Sequence, residues 1–166
     1  MERPILNVGD LQYRPWGHGE RFEARIGAIG TRLGARKLGY NLTVLPPGKR
    51  AYPFHNHHVN EEMFFVLEGQ GEVRIGEKRH PIRTGDVIAC PAGGPETAHQ
   101  IINTSSSAEL KYLAVSSRLN PEVAEYPDSG KFGVLAELPP DAEGKPQMLR
   151  FICRTQASVD DYWEGE

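Results

Sequence analysis

An all-β domain is the fold class the sequence predicts, and three observations carry it. Thirteen prolines and eighteen glycines punctuate 166 residues at short intervals. Apolar stretches alternate with period two, and no segment of helix length between them carries a 3.6-residue apolar period. Strands at this spacing fit a sandwich or a barrel. The length suits one domain with a real core.

The elements follow in order. LGYNLTVL (38–45) sets Leu38, Tyr40, Leu42 and Val44 on one face and Asn41 and Thr43 on the other. Residues 62–68 and 71–75 read as two strands of a hairpin turned at Gly69-Gln70-Gly71. DVIAC (86–90), AHQIIN (98–103), ELKYLAVS (109–116) and MLRFICR (148–154) are further strands. RLNPEVAEYP (118–127) is expected to hold a helical turn, PPDAEGKP (139–146) an exposed loop, and Ser158 with Asp161 a short capped helix. Strand 62–68 is apolar on both faces, since Phe64 and Val66 share a face with Glu62 while Met63, Phe65 and Leu67 occupy the other. Such a strand needs cover on both sides, from the N-terminal segment or from a second subunit.

Composition narrows the function. The N-terminus has no signal-like apolar run, and nowhere do about 18 apolar residues follow one another, so a cytoplasmic protein without a membrane span is expected. Cys90 and Cys153 match no metal or redox spacing and read as buried thiols. The net charge is −3, with basic excess in residues 1–40 and acidic excess in residues 119–166. No run of like charge suggests nucleic acid as a partner.

The chemistry concentrates in PFHNHHVNEEMFFVLEGQG, residues 53–71. Side chains two apart on a strand point the same way, at about 7 Å separation for 3.3 Å rise per residue. His55 and His57 therefore converge while His58 faces away. Glu62 adds a carboxylate, and GDVIACPAGGPETAHQIIN (85–103) opens another strand with His99. Two loops that each deliver imidazole to a strand end suit a composite metal site. His18 and His80 read as surface or turn residues, and Ser129-Gly130-Lys131 lacks the spaced first glycine of a phosphate loop.

These two stretches resemble the paired motifs of the cupin superfamily. The first runs Gly48, six residues, His55-x-His57, four residues, Glu62, six residues, Gly69. The second runs Gly85, five residues, Pro91-x-Gly93, five residues, His99, three residues, Asn103. Relative to the family pattern, one extra residue precedes His55 and three precede His99. PAGGPETAH and EYPDSGKFGV are similar to small single-domain bacterial cupins grouped with sugar-phosphate isomerases. The resemblance implies a double-stranded β-helix (jelly-roll) barrel with short helical or irregular terminal extensions. It divides the chain into an N-terminal extension (1–37) packing on the barrel or a partner subunit, a barrel core (38–118) and a C-terminal extension (119–166). It also implies a homodimer and, as metal ligands, His55, His57, Glu62 and His99, with Glu61 the rival to Glu62. Such a set suits one divalent ion, Fe, Mn, Ni, Co or Zn.

The expected function is therefore a metal-dependent enzyme on a small polar oxygen-bearing metabolite, isomerase-like ahead of dioxygenase. The alternative is a metabolite-binding or sensing module without turnover. Glu96, in the lengthened loop before His99, is the nearby carboxylate nominated to move protons. Arg50 and Tyr52, on the approach to His55, are candidates for contact with substrate, and Tyr112 is expected to line the core.

Overall fold

The computed structural model describes residues 4–154, so the Ser158–Asp161 cap lies outside the described residues. Thirteen strands occur among them: β1 (Tyr13–His18), β2 (Phe22–Ala28), β3 (Leu38–Leu45), β4 (Asn56–His57), β5 (Glu62–Glu68), β6 (Gln70–Ile75), β7 (Lys78–Arg83), β8 (Val87–Cys90), β9 (His99–Ile102), β10 (Leu110–Ser117), β11 (Glu122–Tyr126), β12 (Lys131–Leu138) and β13 (Gln147–Arg154). Helix is limited to single 3-10 turns at Val8–Asp10, Pro95–Thr97 and Pro127–Ser129.

The expected closed barrel is not what the strands form. They make three open sheets, ordered β1-β2-β3-β10-β5-β8, β13-β12-β11-β4 and β7-β6-β9. Where a barrel would continue its ladder, only isolated bridges join the sheets: Phe22 to Arg50, Arg50 to Ile102 and His55 to His99. The sequence between β3 and β5 supplies the reason. Pro46, Pro47 and Pro53 have no N–H to donate, and Gly48 sits at φ 73°, so this segment cannot run as one strand.

The terminal extensions also depart from expectation, because both are strands rather than helical or irregular segments. β1 and β2 extend the six-stranded sheet from β3, and β11, β12 and β13 form an antiparallel meander. The helical turn expected within 118–127 is strand β11, with the 3-10 turn only after it. The hairpin expected at Gly69 is corrected as well. β5 pairs with β10 and β8, whereas β6 pairs with β7 and β9. Gly69 (φ 88°) passes the chain from one sheet to the other, and a Cβ there would meet the Glu109 carbonyl oxygen.

The main core lies between the six-stranded and three-stranded sheets. Ile26, Phe64, Val66, Leu110 and Tyr112 face Val73, Ile82 and Ile101 across it, and Cys90 is buried among them. On the outer face of the larger sheet, Leu11, Ile29 and Leu42 pack with Leu6, Leu33, Leu67 and Leu113. The N-terminal segment thus covers the Leu67 end of two-sided strand β5. Met63 and Phe65 remain exposed on the same face.

Candidate metal centre

Each cluster residue is placed by backbone pairing. His55 and His99 form an antiparallel bridge, with His99 N donating to His55 O at 2.8 Å and His55 N to His99 O at 3.2 Å. That bridge sets the two rings 4.8 Å apart. β4 brings His57 in by pairing with Ala124 of β11, and Glu62 opens β5 opposite Cys90. The three sheets therefore each contribute to one spot.

The donors of His55, His57, Glu62 and His99 lie within 4.8 Å of one another. Glu62 Oε2 is 2.9 Å from His99 Nε2, 3.5 Å from His57 Nε2 and 4.0 Å from His55 Nε2. Donors held at about 2.0–2.2 Å by a six-coordinate ion sit roughly 3.0–4.2 Å apart, so the widest pair needs to close by only about half an ångström. His57 Nε2 is buried without a hydrogen-bond partner, a costly state that an ion relieves. This donor set fits one divalent cation.

The protonation states of His55 and Glu62 agree with that fit. Burial, reinforced by His99 and His57, pushes His55 down to about 4, so its ring is neutral at pH 7. Burial alone would raise Glu62, but the His57 ring 3.5 Å away and the His99 ring at 2.9 Å outweigh it and hold the carboxyl well below its ordinary range. For His57, burial is outweighed by Glu62 and then Glu122, and its pKa rises. Metal binding would displace that proton.

Outer contacts orient the rings. His55 Nδ1 lies 2.8 Å from the Pro53 carbonyl oxygen and donates to it in the tautomer that turns a free Nε2 lone pair toward the cluster. Glu122 Oε2 lies 3.4 Å from His57 Nδ1, an ion-pair separation longer than a formed hydrogen bond. Glu122 is itself buried and accepts from Val59 N at 3.2 Å, Asn60 N at 3.0 Å, Val123 N at 2.8 Å and the Asn60 side-chain amide. Asn60 Oδ1 in turn accepts from Leu119 N at 2.6 Å and Ser117 Oγ at 2.8 Å. Sequence reasoning missed both Glu122 and Asn60, since nothing in their spacing announces a partner some sixty residues away.

The cluster opens into a cavity of about 300 Å³ lined also by Tyr52, Phe64, Gln100, Tyr112 and Tyr126. Tyr52 is therefore at the site, and its carbonyl accepts from Gln100 Nε2 at 2.7 Å. Burial raises Tyr52 and Tyr126, so both keep their hydroxyl protons at neutral pH. Glu61 is exposed and outside the cluster. Glu96 is not brought to the cavity: it sits on the exposed 3-10 turn, where its Oε1 accepts from Gly94 N at 3.0 Å. Arg50 does not line the cavity either, and serves instead in the bridges between sheets. His58 points away and pairs with Glu125 at 3.2 Å, while Tyr112 is core lining, as its strand parity predicts.

A family profile for the cupin domain matches residues 41–116. Residues 41–116 are a cupin domain. All four cluster residues fall within it, whereas β1, β2 and β11–β13 lie outside the matched stretch. Among solved structures, a cupin-superfamily sugar phosphate isomerase from Silicibacter pomeroyi superposes with a TM-score of 0.74 at 25% identity, over 96% of this chain and 98% of that one. A protein from Acidithiobacillus ferrooxidans superposes with a TM-score of 0.69 at 23% identity, over 89% and 92% of the two chains, which shows the shared fold. The oxalate-binding protein of Thermotoga maritima is 35% identical over 71 residues, 43% of this chain. The chain spans 54% of the length of the Thermotoga protein and 18% and 25% of two rice cupincins that it also matches. No helix among the described residues is long and apolar enough to cross a membrane.

Proposed function

We propose that this cupin is a metal-dependent isomerase-like enzyme acting on a small polar, oxygen-bearing metabolite, a sugar or sugar phosphate. The observation that carries the reading is the convergence of His55, His57, Glu62 and His99 at the wall of a cavity large enough for such a ligand. Four protein donors leave two positions free at a six-coordinate ion. A divalent ion in that cluster would polarise a carbonyl or enediolate oxygen. Around it, Tyr52 and Tyr126 act as hydrogen-bond donors to substrate oxygens, since burial keeps them protonated. Phe64 and Tyr112 close the inner wall against bulk water. Likeness to the Silicibacter isomerase over nearly its whole length supports the same reading.

The alternative is binding without turnover, and one feature favours it. Apart from Glu62, no carboxylate lines the cavity among the described residues, so a protein-borne base is lacking there. Incubating the metal-loaded protein with pentose and hexose phosphates, with and without oxygen, separates the readings by isomer-resolving chromatography. Metal-dependent interconversion without oxygen supports the isomerase. Oxygen-dependent loss of substrate would point to a dioxygenase, and a ligand retained but returned unchanged under both atmospheres would overturn the enzyme reading.

The protein is also proposed to be a cytoplasmic homodimer. Met63, Phe65 and Val87, at 50%, 40% and 61% exposure, form an apolar strip on the outer face of β5 and edge strand β8 that suits a second subunit. The free thiols Cys90 and Cys153 suit a reducing compartment.

A further inference from the structure

A second cavity, of about 370 Å³, adjoins the first and shares Tyr52, His55 and Tyr126 with it. Beside Ala51 and Pro53, most of its remaining wall comes from outside the matched domain, including Trp16 and His18 from β1, Lys131 from β12 and Arg150 and Ile152 from β13. Strand register explains the grouping. Tyr126 pairs with Lys131 and Leu135 with Arg150, which sets Lys131, Leu135, Arg150 and Ile152 on the face that also borders the metal cluster. Trp16 is fixed by its indole N–H, which donates to the Ala51 carbonyl at 3.0 Å, and its ring lies 5.8 Å from that of Tyr52.

The charge is one-sided. Among the described residues no carboxylate lines this cavity. The acids adjacent in sequence to cavity residues pair elsewhere, Glu23 with Lys49 at 3.7 Å, Glu125 with His58 at 3.2 Å and Asp128 with Arg74 at 2.8 Å. Arg14 adds a further positive group beside Trp16 and Tyr52. Two cations beside aromatic walls, with no counter-ion in the cavity among the described residues, recognise a ligand with an anionic end and a small organic body.

We infer that Lys131 and Arg150 form an anion subsite that holds the phosphate or carboxylate end of the ligand while its oxygenated end reaches the His55 side of the metal cluster. This deepens the functional reading by naming its substrate class, an anionic polyol or sugar. Lys131 and Arg150 are positioning residues and do not touch the reacting atoms.

The test is a titration followed by the Trp16 indole and Gly17 amide NMR signals at constant ionic strength. Inorganic phosphate and, separately, acetate are added to the full-length protein, metal-loaded and after chelation. Chelation removes the ion as a rival ligand for the anion. The expected result is a saturable shift that survives chelation and weakens at least 10-fold in Lys131→Gln/Arg150→Gln, with the Lys131→Arg variant binding as wild type. Saturation at lower phosphate than acetate assigns a phosphate end, and the reverse assigns a carboxylate. No saturable shift with either anion, or equal affinity in the double variant, overturns the subsite. Because this readout needs neither metal nor turnover, failure of the isomerase assay leaves it standing, and its own failure leaves the isomerase reading standing.

Discussion

Replacing Glu122 tests how the metal centre is held. Its two carboxylate oxygens accept the backbone N–H groups of Val59, Asn60 and Val123 at 3.2, 3.0 and 2.8 Å, together with the Asn60 side-chain amide, and face His57 Nδ1 at 3.4 Å. Glu122→Ala leaves three backbone N–H groups and the Asn60 side-chain amide without that acceptor. At about 1–1.5 kcal/mol for each lost bond, the stability cost is roughly 4–6 kcal/mol. Glu122→Gln keeps the volume and one acceptor oxygen but turns an NH2 toward donors, for about 1–3 kcal/mol. The second effect is on the ion: His57 loses the carboxylate charge that faces its Nδ1 and raises its basicity, which is expected to weaken metal affinity about 10- to 100-fold. Urea unfolding of the chelated protein reads the first effect, and calorimetric metal titration of the folded Gln variant reads the second. If Glu122→Gln unfolds at the wild-type urea midpoint and binds metal with unchanged affinity, the clasp does not hold the site and the reasoning fails.

Three further outcomes follow from the geometry. His57→Ala or His99→Ala should lower bound metal sharply by elemental analysis while circular dichroism stays β-type, and full occupancy in both variants would remove the cluster from consideration as the metal site. Phe65→Glu with Val87→Lys should shift light scattering from a dimeric to a monomeric mass at micromolar concentration, whereas a wild-type monomer would leave the exposed strip without its proposed role. Burial, with the charge of Glu62 second, pushes the Cys90 thiol up to about 12, above its unfolded value near 8.5. The native state therefore holds the proton more tightly, and that stability is fully present below about pH 8.5 and lost as pH rises through about 12. Urea midpoints measured from pH 8 to 10.5 should fall for wild type and fall less steeply for Cys90→Ala; parallel curves would contradict the burial argument.

The cluster was legible in the sequence because its residues obey local rules. His55 and His57 share strand parity, His58 does not, and Glu62 rather than Glu61 stands at the right distance from Gly69. The buried strands showed for the same reason: Phe64 with Val66, and Leu110 with Tyr112, alternate against one core. β1 left no such trace. Every residue of Tyr13–His18 is exposed, it contains Pro15 and Gly17, and it is held by its ladder to β2 rather than by a buried face. β13 is similarly almost unburied. Closure is not a local property at all. Apolar alternation does not state which edge a strand will pair with, and three prolines between β3 and β5 were enough to replace a continuous ladder by bridges. Glu96 was misplaced by an inference from loop length, since proximity in sequence to His99 does not turn a carboxylate on a tight turn toward the cavity.

The division of labour between the matched domain and its flanks has a physical basis. Metal ligands tolerate little positional error, and His55, His57, Glu62 and His99 stand on or beside strands whose pairing and burial fix them. The cations Lys131 and Arg150 need only reach an anion, so exposed side chains on outer strands suffice. The two tasks meet at residues that serve both. β11 sends Glu122 to His57, pairs Ala124 with His57 and places Tyr126 against His55, with the rings 6.2 Å apart and nearly parallel. A shift of β11 would therefore disturb the ligand shell and the second cavity together. Changes on β12 and β13 at Lys131 or Arg150 would instead alter which anion is held while leaving the donors in place.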